Sequence, residues 1–430
     1  MSENRIAARS LAILLAVNIL NFYDRQALGT LAEPIRHEFH LSDAQLGALT
    51  TTFTVLYAIV GLPLGRLTDT WSRRKLLGAG VGVWSALTGL SGLAGSFGML
   101  MFSRLGVAVG EAVCAPAATS WLGDLFPPGR RARALGIFML GVPIGSALSN
   151  IVSGPFGQAF GWRKALMLAA LPAIALIPVL LRMHEPERGA SESHAVASKM
   201  RATSILRIPT LWWIVASGAL INFNLYTLAT FMPAFLIRWH GFSLARAGLF
   251  TGIGWGVAGI VAVLTSGYVG DRMVVKKRNA RMLLASVAAF LAAPTALFGI
   301  LEPAGTGILA LLLLSVSYGF LNMYYGLVYS SIQDIVPPSL RGTTMAVYFM
   351  AMYLCGASFG PLITGKLSDM MARRAAGSGV VTEAAKAIGL QQAMCIMPVL
   401  SVALALVLYA GSRTIVRDME RRDFSMTGAG

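Results

Sequence analysis

Two stretches of the chain repeat one another and decide its architecture: residues 65–75 read GRLTDTWSRRK, and residues 267–278 read GYVGDRMVVKKR. Each has a glycine, an aspartate four residues later and then a run of basic residues, and each follows a long apolar segment. A second repeat pairs DLFPPGRR at 124–131 with DIVPPSLR at 334–341. The offsets are 202 and 210 residues, so the same parts recur in the same order. This recurrence predicts a duplicated unit and two pseudo-symmetric halves.

The composition places these repeats in a multi-pass membrane protein. The 430 residues are 56% hydrophobic and 13% charged, with a mean hydropathy of +0.67, whereas soluble domains are about 25% charged. A spanning helix needs about 20 predominantly apolar residues. We therefore predict an all-α membrane protein of twelve transmembrane helices in two six-helix halves. The predicted spans are 10–31, 43–65, 76–95, 98–121, 132–155, 163–182, 208–234, 246–269, 280–300, 306–330, 342–366 and 388–412.

The longest polar interruption of this pattern separates six predicted spans from the other six. It contains Pro186, a serine-rich stretch and charges of both signs. The predicted organisation is an N-terminal six-helix bundle over 1–182, a cytoplasmic linker over 183–207, a C-terminal six-helix bundle over 208–412 and a cytoplasmic tail over 413–430.

The net charge of +16 reports orientation in the membrane. With both termini in the cytoplasm, the loops and helix ends on that side hold most of the 35 Lys and Arg residues, which is the positive-inside bias. The pattern predicts a multi-pass protein of the cell inner (plasma) membrane with both termini cytoplasmic. Its basic loops are expected to contact anionic membrane lipids and not nucleic acid.

Four charged residues interrupt the apolar spans of the first half: Asp24 and Arg25 in span 1, and Arg104 and Glu111 in span 4. A charge at the bilayer centre costs about 2.5 kcal/mol or more, so such residues face a partner or a watery cavity. Arg104 and Glu111 share a helix face at levels about 10.5 Å apart, and each needs a partner from another helix.

The two adjacent residues of span 1 point about 100° apart on a helix. We expect one of them to face the cavity while the other packs against a neighbouring helix. We predict that Asp24 alternates between Arg104 and a proton, with Glu111 as the second candidate proton acceptor. The alternative is a static ion-pair network that holds spans 1 and 4 together.

The repeated loops predict a gate at the cytoplasmic ends of the helices. Asp69 lies near Arg73 and Arg74 in the first copy, and Asp271 lies beside Arg272 in the second. Such a carboxylate can cap a helix N-terminus, or pair with arginine in one state and release it in another. The alternative is that the basic residues only set the orientation in the membrane.

The middle parts of the second-half spans carry amides and aromatic residues instead of charges. Tyr325 and Tyr329 are four residues apart in span 10 and share a helix face, and Asn222 and Tyr226 repeat that spacing in span 7. An uncharged wall suits an amphipathic ligand whose head group meets Arg104 or Arg25. The predicted substrate-cavity residues are Asn222, Phe223, Tyr226, Asn322, Tyr325 and Tyr329.

Cysteine and histidine usage argues against metal, cofactor and enzyme chemistry. Cys114, Cys355 and Cys395 lie singly in apolar spans, where small buried side chains are usual. The five histidines lie in loops and at span ends, and beyond the pair His37 and His40 they show no ligand motif. No nucleophile with a base is evident within the spans, so we predict a non-enzyme with no metal and no cofactor.

The motifs resemble those of the major facilitator superfamily over nearly the whole chain. Residues 65–74 resemble its signature between spans 2 and 3, with Ser72 where glycine is usual, and Arg104 followed by Gly110 and Ala112 resembles its span 4 motif. The spinster-like transporters within the superfamily are similar at NFYDRQ 21–26, LSDAQLG 41–47, the segment 104–112 and FPP 126–128. The resemblance implies the twelve-helix fold of that superfamily and alternating access, with the span 1 aspartate and the span 4 charges taking part in proton coupling.

These patterns predict a proton-coupled secondary active transporter of an amphipathic substrate. The spinster resemblance implies a lysophospholipid or a sphingosine-phosphate-like lipid, and the former is favoured if the chain is bacterial. One alternative is an organic-anion or sugar-acid proton symporter, which shares the Asp-Arg chemistry of span 1. Another is a multidrug efflux transporter, which the aromatic lining and the glycines of span 5 favour, namely Gly136, Gly141, Gly145 and Gly154. We expect a monomer.

Overall fold

The computed structural model describes residues 3–188, 202–336 and 340–427. Within these ranges the chain is almost entirely α-helical, contains no β-strand and includes a 3-10 helix and a π-helical segment. The backbone of Asp69 and Asp271 belongs to helices, but the side chains of both residues lie outside the described part. The predicted all-α membrane fold is confirmed.

Before the linker, the described residues form nine helices. They are α1 Glu3–Thr30, α2 Ala32–Phe39, α3 Asp43–Thr70, α4 Arg73–Ser91, α5 Phe97–Glu111, α6 Cys114–Leu125, α7 Pro128–Met139, α8 Gly141–Phe160 and α9 Trp162–Leu181.

After the linker, the described residues form eight α-helices, with the π-helical segment Met352–Ala357 between the fifth and the sixth. The α-helices are α10 Pro209–Arg238, α11 Leu244–Lys276, α12 Ala280–Leu301, α13 Gly307–Ile335, α14 Arg341–Ala351, α15 Phe359–Ala376, α16 Glu383–Met394 and α17 Ile396–Thr427.

Eleven helical stretches of the described ranges are long and apolar enough to cross a membrane. Some of them consist of two helices in succession, such as α5 with α6 and α16 with α17. The remaining predicted span, 76–95, overlaps α4, a 19-residue helix that opens with Arg73, Arg74 and Lys75 and ends at Ser91. These three charges lower the mean hydropathy of so short a helix. The count of twelve therefore stays a prediction, with α4 as the candidate for the twelfth span.

Side-chain caps set the start of two helices that carry candidate functional residues. Ser72 and Ser96 each accept a hydrogen bond from the backbone N–H three residues further on, at the start of α4 and α5. A serine oxygen in this position satisfies an N–H that would otherwise be unpaired. The caps place Arg73 at the first position of α4 and Arg104 two turns into α5.

The chain folds into two compact units. One comprises the described residues of 1–195 with Thr230–Ile237 and Phe242–Gly256, and the other comprises the described residues of 196–229, Arg238–Gly241 and 257–430. The first unit thus contains the first half of the chain together with one end each of α10 and α11. The predicted boundaries at 182, 207 and 412 stay predictions.

Glycines permit close helix crossings at corresponding positions of the two repeats. Gly145 of α8 lies against the backbone of α1 at Ile19, and Gly356 of the π-helical segment lies against the backbone of α10 at Ala219. A Cβ atom at either glycine would collide with that backbone, so the helices approach closely because no side chain intervenes. In the first unit this crossing also contacts Tyr23 and holds the backbone of α1 next to Asp24.

The segments next to the predicted linker and tail differ in structure. Residues 183–188 follow α9 without forming a helix, residues 189–201 lie outside the description, and Ala202–Arg207 form the 3-10 helix. α17 continues without a break to Thr427, so the described part of the predicted tail is helical.

Candidate functional site

Two buried ion pairs connect α1 to α5. Asp24 Oδ1 lies 3.4 Å from Arg104 Nη1, and Glu111 Oε2 accepts a hydrogen bond from Arg25 Nε at 2.6 Å. The structure thus brings together the four intramembrane charges that the sequence singles out. It differs from the expectation that only one of the two α1 residues packs against a neighbouring helix, since both bind α5. Because Arg104 and Glu111 are seven residues apart on α5, they lie at different heights along the helix. Asp24 and Arg25 of α1 can therefore each have a partner.

Asp24 is 3% exposed and is held by two helices. Thr88 Oγ1 of α4 donates to its Oδ2 at 2.6 Å, whereas Arg104 Nη1 lies 3.4 and 3.5 Å from the two carboxylate oxygens. The guanidinium of Arg104 lies 5.3 Å from the centroid of the Phe53 ring, and its Nε has no hydrogen-bond partner among the described residues. Arg104 therefore neutralises Asp24 and retains an N–H donor to which a substrate oxygen could bind.

The second pair combines a short ion pair with aromatic stacking. The guanidinium of Arg25 lies 4.2 Å from the centroid of the Tyr57 ring and also lies over Phe22 and Phe53. Glu111 is fully buried, and its Oε1 has no hydrogen-bond partner in the described part of the chain. An unsatisfied carboxylate oxygen in such a place is unfavourable, so it is a natural position for a proton or a polar substrate group.

The face of α8 toward α1 is polar and uncharged. Ser153 Oγ donates to the hydroxyl of Tyr23 at 3.1 Å, and Asn150 Oδ1 accepts a hydrogen bond from Thr30 at 2.8 Å. Asn21, one helical turn before the charged pair of α1, is buried, and its Nδ2 has no hydrogen-bond partner among the described residues. The charged pairs therefore lie within a longer polar stripe on α1.

A second charged cluster surrounds Arg73 at the start of α4. This fully buried side chain forms an ion pair with Asp124 of α6 and donates to Ser120 Oγ at 3.2 Å. Its Nη2 donates to the carbonyl of Pro186 at 2.7 Å, and Glu185 Oε1 accepts from its backbone N–H at 2.7 Å. Arg73 thereby ties α4 both to α6 and to the segment that follows α9.

Glu185 acts as a charged cap for the start of α4. Its Oε2 accepts from Ser72 Oγ at 2.6 Å and from the backbone N–H of Arg74 at 3.3 Å. Partial burial raises the pKa of this carboxyl, but the hydrogen bonds from Ser72, Arg73 and Arg74 outweigh burial and hold the pKa below its ordinary value. The carboxylate form is therefore the one that the folded protein stabilises.

The two carboxylates of this cluster were missed by the sequence reasoning. Asp124 does carry a signal, because the second repeat aligns it with Asp334. Glu185 carries none, because it stands in the linker outside any repeated motif.

The predicted gate residues are only partly described. Arg74 Nη1 donates to a backbone carbonyl just after α9 at 3.2 Å, and Arg272 lies over the Tyr268 ring with 4.3 Å to the centroid. The side chains of Asp69 and Asp271 lie outside the described residues, so the role of these loops as a gate stays a prediction.

A matching ion pair occurs in the second unit. Arg281 Nη1 of α12 donates to Asp334 Oδ2 of α13 at 2.6 Å. Arg73 and Asp124 precede these residues by 208 and 210 positions, so the two pairs correspond within the duplication. The pairing arginine of the second copy, Arg281, was not named by the sequence reasoning.

Tyrosines of α13 and α14 form a partly buried aromatic cluster in the second unit. The Tyr329 ring centroid lies 5.5 Å from those of Tyr325 and Phe349 and 5.6 Å from that of Tyr348. The hydroxyls of Tyr324 and Tyr348 are hydrogen-bonded at 3.0 Å. The cluster presents aromatic faces and hydroxyl groups, which suit apolar or weakly polar ligand surfaces.

Two of the predicted cavity residues belong to this aromatic cluster, and others lie beside it. Tyr325 OH donates to Asn222 Oδ1 at 3.4 Å, while Asn322 Nδ2 donates to a carbonyl of its own helix at 2.8 Å. Tyr329 is half-buried. Contact of these residues with a substrate stays a prediction.

The remaining two predicted cavity residues lie on α10 near the π-helical segment. The ring centroids of Tyr226 and Tyr353 are 6.3 Å apart, and Phe223 is buried. Tyr353 belongs to the π-helical segment, and such irregular turns are frequent at functional sites.

These features together define a multi-pass helical membrane protein of the transport type, built as a duplication with charges buried in its first repeat. Residues 14–361 match the Major Facilitator Superfamily, and the chain belongs to this family. It is therefore a transporter of a small-molecule substrate and not an enzyme.

Several proteins are similar to the chain over most of its length. An MFS-type efflux pump of Mycolicibacterium smegmatis is 31% identical over 85% of this chain and 86% of its own. A probable L-galactonate transporter of Escherichia coli is 26% identical over 85% and 84% of the two chains. The crystal structure of a bacterial homolog of the human lysosomal transporter Spinster, inward-facing and unoccupied, matches with a TM-score of 0.86 and 28% identity over 96% and 98%. The predicted resemblance to spinster-like proteins is confirmed.

Proposed function

We propose that the chain is a proton-coupled secondary transporter that moves an amphipathic anionic or zwitterionic molecule by alternating access. The observation that carries this proposal is the presence of two ion pairs, Asp24–Arg104 and Arg25–Glu111, buried between α1 and α5. Apolar residues hold helices together at least as well as a buried ion pair does. Charges at these positions are better explained by a pair that opens during function.

Asp24 is the proposed proton acceptor, and Glu111 is the second candidate. When a carboxylate takes up a proton, the arginine beside it loses its counter-charge and becomes available to an anionic group of the substrate. Arg104 Nε has no hydrogen-bond partner among the described residues and can serve this purpose, and Arg25 lies against aromatic rings that would also contact an apolar chain. Binding of a proton and binding of an anion are coupled in this way through the same charges.

The proposed substrate is a lysophospholipid-like molecule, with an organic phosphate head group and one apolar chain. The similarity to the bacterial homolog of Spinster supports the kind of substrate that the resemblance to spinster-like transporters implies. The arginines of the first unit have the chemistry to bind the head group, and the aromatic rings of Phe22, Phe53 and Tyr57 beside Arg25 have the chemistry to contact the apolar chain.

The proposed location is the inner membrane with both termini in the cytoplasm, in contact with anionic lipids. This orientation puts the cluster of Arg73, Asp124 and Glu185 and the pair Arg281–Asp334 at the cytoplasmic ends of their helices. We propose that both act as latches of a cytoplasmic gate in a monomeric transporter.

The test is transport of a fluorescent lysophospholipid into proteoliposomes under an imposed pH gradient. We compare the wild type with Asp24→Asn, Glu111→Gln and the control Glu383→Gln, which changes a 57% exposed carboxylate at the start of α16. Gradient-driven flux is expected in the wild type and in the control, and is expected to be lost in Asp24→Asn.

Each of the other outcomes changes the proposal in a defined way. Gradient-driven flux that persists in Asp24→Asn and disappears in Glu111→Gln would move the coupling role to Glu111. Flux that ignores the pH gradient in every variant would remove proton coupling.

Transport of other substrates is the second candidate function. The 31% identical efflux pump favours export, as in the multidrug alternative, and the probable L-galactonate transporter favours a small organic anion. Competition separates these candidates from a lipid carrier: unrelated drugs or sugar acids that inhibit lipid flux, and are themselves transported, would replace the lipid assignment.

A further inference from the structure

The carboxylate of Asp24 receives its shortest hydrogen bond from a neutral group. Thr88 Oγ1 lies 2.6 Å from Oδ2, whereas the nearest nitrogen of Arg104 lies 3.4 Å from Oδ1. Thr88 is 1% exposed, and Asp24 is 3% exposed. The hydrogen bond from Thr88 to Asp24 thus links α4 to α1 at a position that bulk water does not reach.

A hydroxyl group and a guanidinium differ in what they can offer to a carboxyl that changes its charge. A guanidinium only donates hydrogen bonds, so Arg104 can serve only the ionised carboxylate. A threonine hydroxyl donates and accepts, so Thr88 can donate to the carboxylate and, after rotation of its O–H bond, accept from the protonated acid. A buried acid O–H without an acceptor would be unfavourable by about 1–3 kcal/mol.

Among the hydroxyl groups in this part of α4, the one that bonds to Asp24 is that of Thr88. Ser91, three residues further along α4, shares its hydroxyl with Ser103 of α5 at 2.8 Å. Ser85, three residues earlier, is fully buried, and its Oγ has no partner among the described residues. Threonine is also stiff at χ1, so its hydroxyl is held toward the carboxyl more firmly than a serine hydroxyl would be.

The charged and titratable groups of the two ion pairs and their surroundings come from four helices. The basic side chains of α4 lie at its first three positions, more than three turns before Thr88, and α8 carries no ionisable side chain. The neighbouring groups are Tyr23 and Arg25 on α1, Tyr57 on α3, Arg104 and Glu111 on α5, and Cys114 on α6.

We infer that Thr88 is a positioning residue for proton uptake by Asp24, which it hydrogen-bonds in both the ionised and the protonated state. This inference rests on the proposed function, in which Asp24 is the proton acceptor. It assigns α4 a part in coupling that the sequence motifs do not indicate.

The test combines infrared spectroscopy with transport. The carbonyl band of the protonated carboxyl is titrated in the purified full-length protein and assigned to Asp24 by its absence in Asp24→Asn. Thr88→Val removes the hydroxyl and keeps the shape, Thr88→Ala is the second variant in case valine impairs folding, and Thr88→Ser restores the hydroxyl. The matched control is Thr54→Val, because Thr54 is equally buried and its hydroxyl donates to a carbonyl of its own helix, at 2.7 Å.

In Thr88→Val and Thr88→Ala, the carbonyl band of protonated Asp24 is expected to appear at a pH up to about one unit higher than in the wild type. The reason is that loss of a hydrogen bond disfavours the charged form more than the neutral form. Their carbonyl band moves to higher frequency because the acid has lost its acceptor, and the pH dependence of gradient-driven transport moves with it. Thr88→Ser returns both readouts toward the wild type, and Thr54→Val changes neither.

The outcomes distinguish this inference from the proposed function. A Thr88→Val band and pH profile equal to those of the wild type, with coupling lost in Asp24→Asn, would overturn the role of Thr88 alone. Loss of thermal stability in Thr88→Val without a change in the titration would reduce Thr88 to a structural residue and so also overturn the inference. Persistent coupling in Asp24→Asn would overturn the inference and remove Asp24 as the proton acceptor, while proton coupling itself would then be decided by Glu111→Gln.

Discussion

At the scale of residues, the buried charges illustrate why location inside a membrane span is informative. An ionised side chain in the bilayer is unfavourable unless a partner or water compensates it, so Asp24, Arg25, Arg104 and Glu111 could be singled out from the sequence. The pairing pattern required the structure, because helical spacing alone does not say which residue of α1 meets which residue of α5. Thr88 was not predicted, since threonines are common in spans and usually bond to their own helix.

The Arg25–Glu111 pair supports a prediction about stability. Arg25→Met removes the ion-pair partner of the buried Glu111 and is expected to destabilise the protein by about 3–5 kcal/mol. The double variant Arg25→Met/Glu111→Gln removes both charges and is expected to recover at least half of that loss. Thermal unfolding of the detergent-solubilised proteins, followed by tryptophan fluorescence, measures the order of their Tm values.

The control for this cycle is Arg272→Met, which changes an arginine that also stacks on an aromatic ring but is exposed. It is expected to shift the Tm only slightly. A double variant no more stable than Arg25→Met would contradict the view that an unpaired buried charge dominates the loss.

At the scale of elements, the structure explains how α4 is anchored. Ser72 determines where the helix begins, and Glu185 in the segment after α9 satisfies N–H groups of its first turn. The repeated motif predicted a charged cluster in this loop and named Arg73. It did not include Glu185, because a residue that lies far away in sequence and outside the repeat leaves no local signal.

Glu185 predicts a pH dependence of stability. The folded protein holds the pKa of this carboxyl below its ordinary value of 4.5, so its stabilising effect is complete above that pH and is lost as the pH falls through the lowered pKa. Glu185→Gln is expected to lower the free energy of unfolding by about 1–2 kcal/mol at neutral pH, and by less in acid. Denaturation at a series of pH values measures this difference.

Glu187→Gln is the matched control, because Glu187 is an exposed carboxylate two residues further along the same segment. Its effect is expected to be small at every pH. An equal loss in Glu185→Gln at neutral and acidic pH would show that the ionised carboxylate is not what anchors α4.

At the scale of the whole molecule, the duplication organises the structure. The pairs Arg73–Asp124 and Arg281–Asp334 occupy corresponding positions, each within its own unit. The first unit also includes a seam between α8 and the first part of α11, where Gly154 faces Gly248 without room for a Cβ atom. Near this seam the backbone N–H of Ala245 donates to Gln158 Oε1 at 2.8 Å.

The seam supports a prediction about the proposed alternating access, in which helices of the two repeats would separate at one end of the molecule in each cycle. Gln158→Cys with Ala245→Cys, joined by a short thiol cross-linker, is expected to stop gradient-driven transport because α8 and α11 can no longer part. The background is a variant in which Cys114, Cys355 and Cys395 are replaced by alanine. Transport assayed before and after cross-linking, with mass spectrometry of the linked peptides, measures the effect.

Each single-cysteine variant treated with the same reagent is the control, and both are expected to transport as before. Undiminished transport after complete cross-linking would contradict opening of this seam during the cycle.

The sequence by itself determined the membrane class, the duplicated plan, the family resemblance and the four intramembrane charges. These properties follow from local hydropathy and from motifs that can be compared along the chain. Only the tertiary structure decided that Asp24 pairs with Arg104 and Arg25 with Glu111, that Thr88 bonds to Asp24, and that Glu185 caps α4. Those contacts join residues that lie 64 to 113 positions apart in the sequence. Their geometry depends on how closely the helices pack. Glycines such as Gly145 permit close packing, but no local pattern in the sequence specifies it.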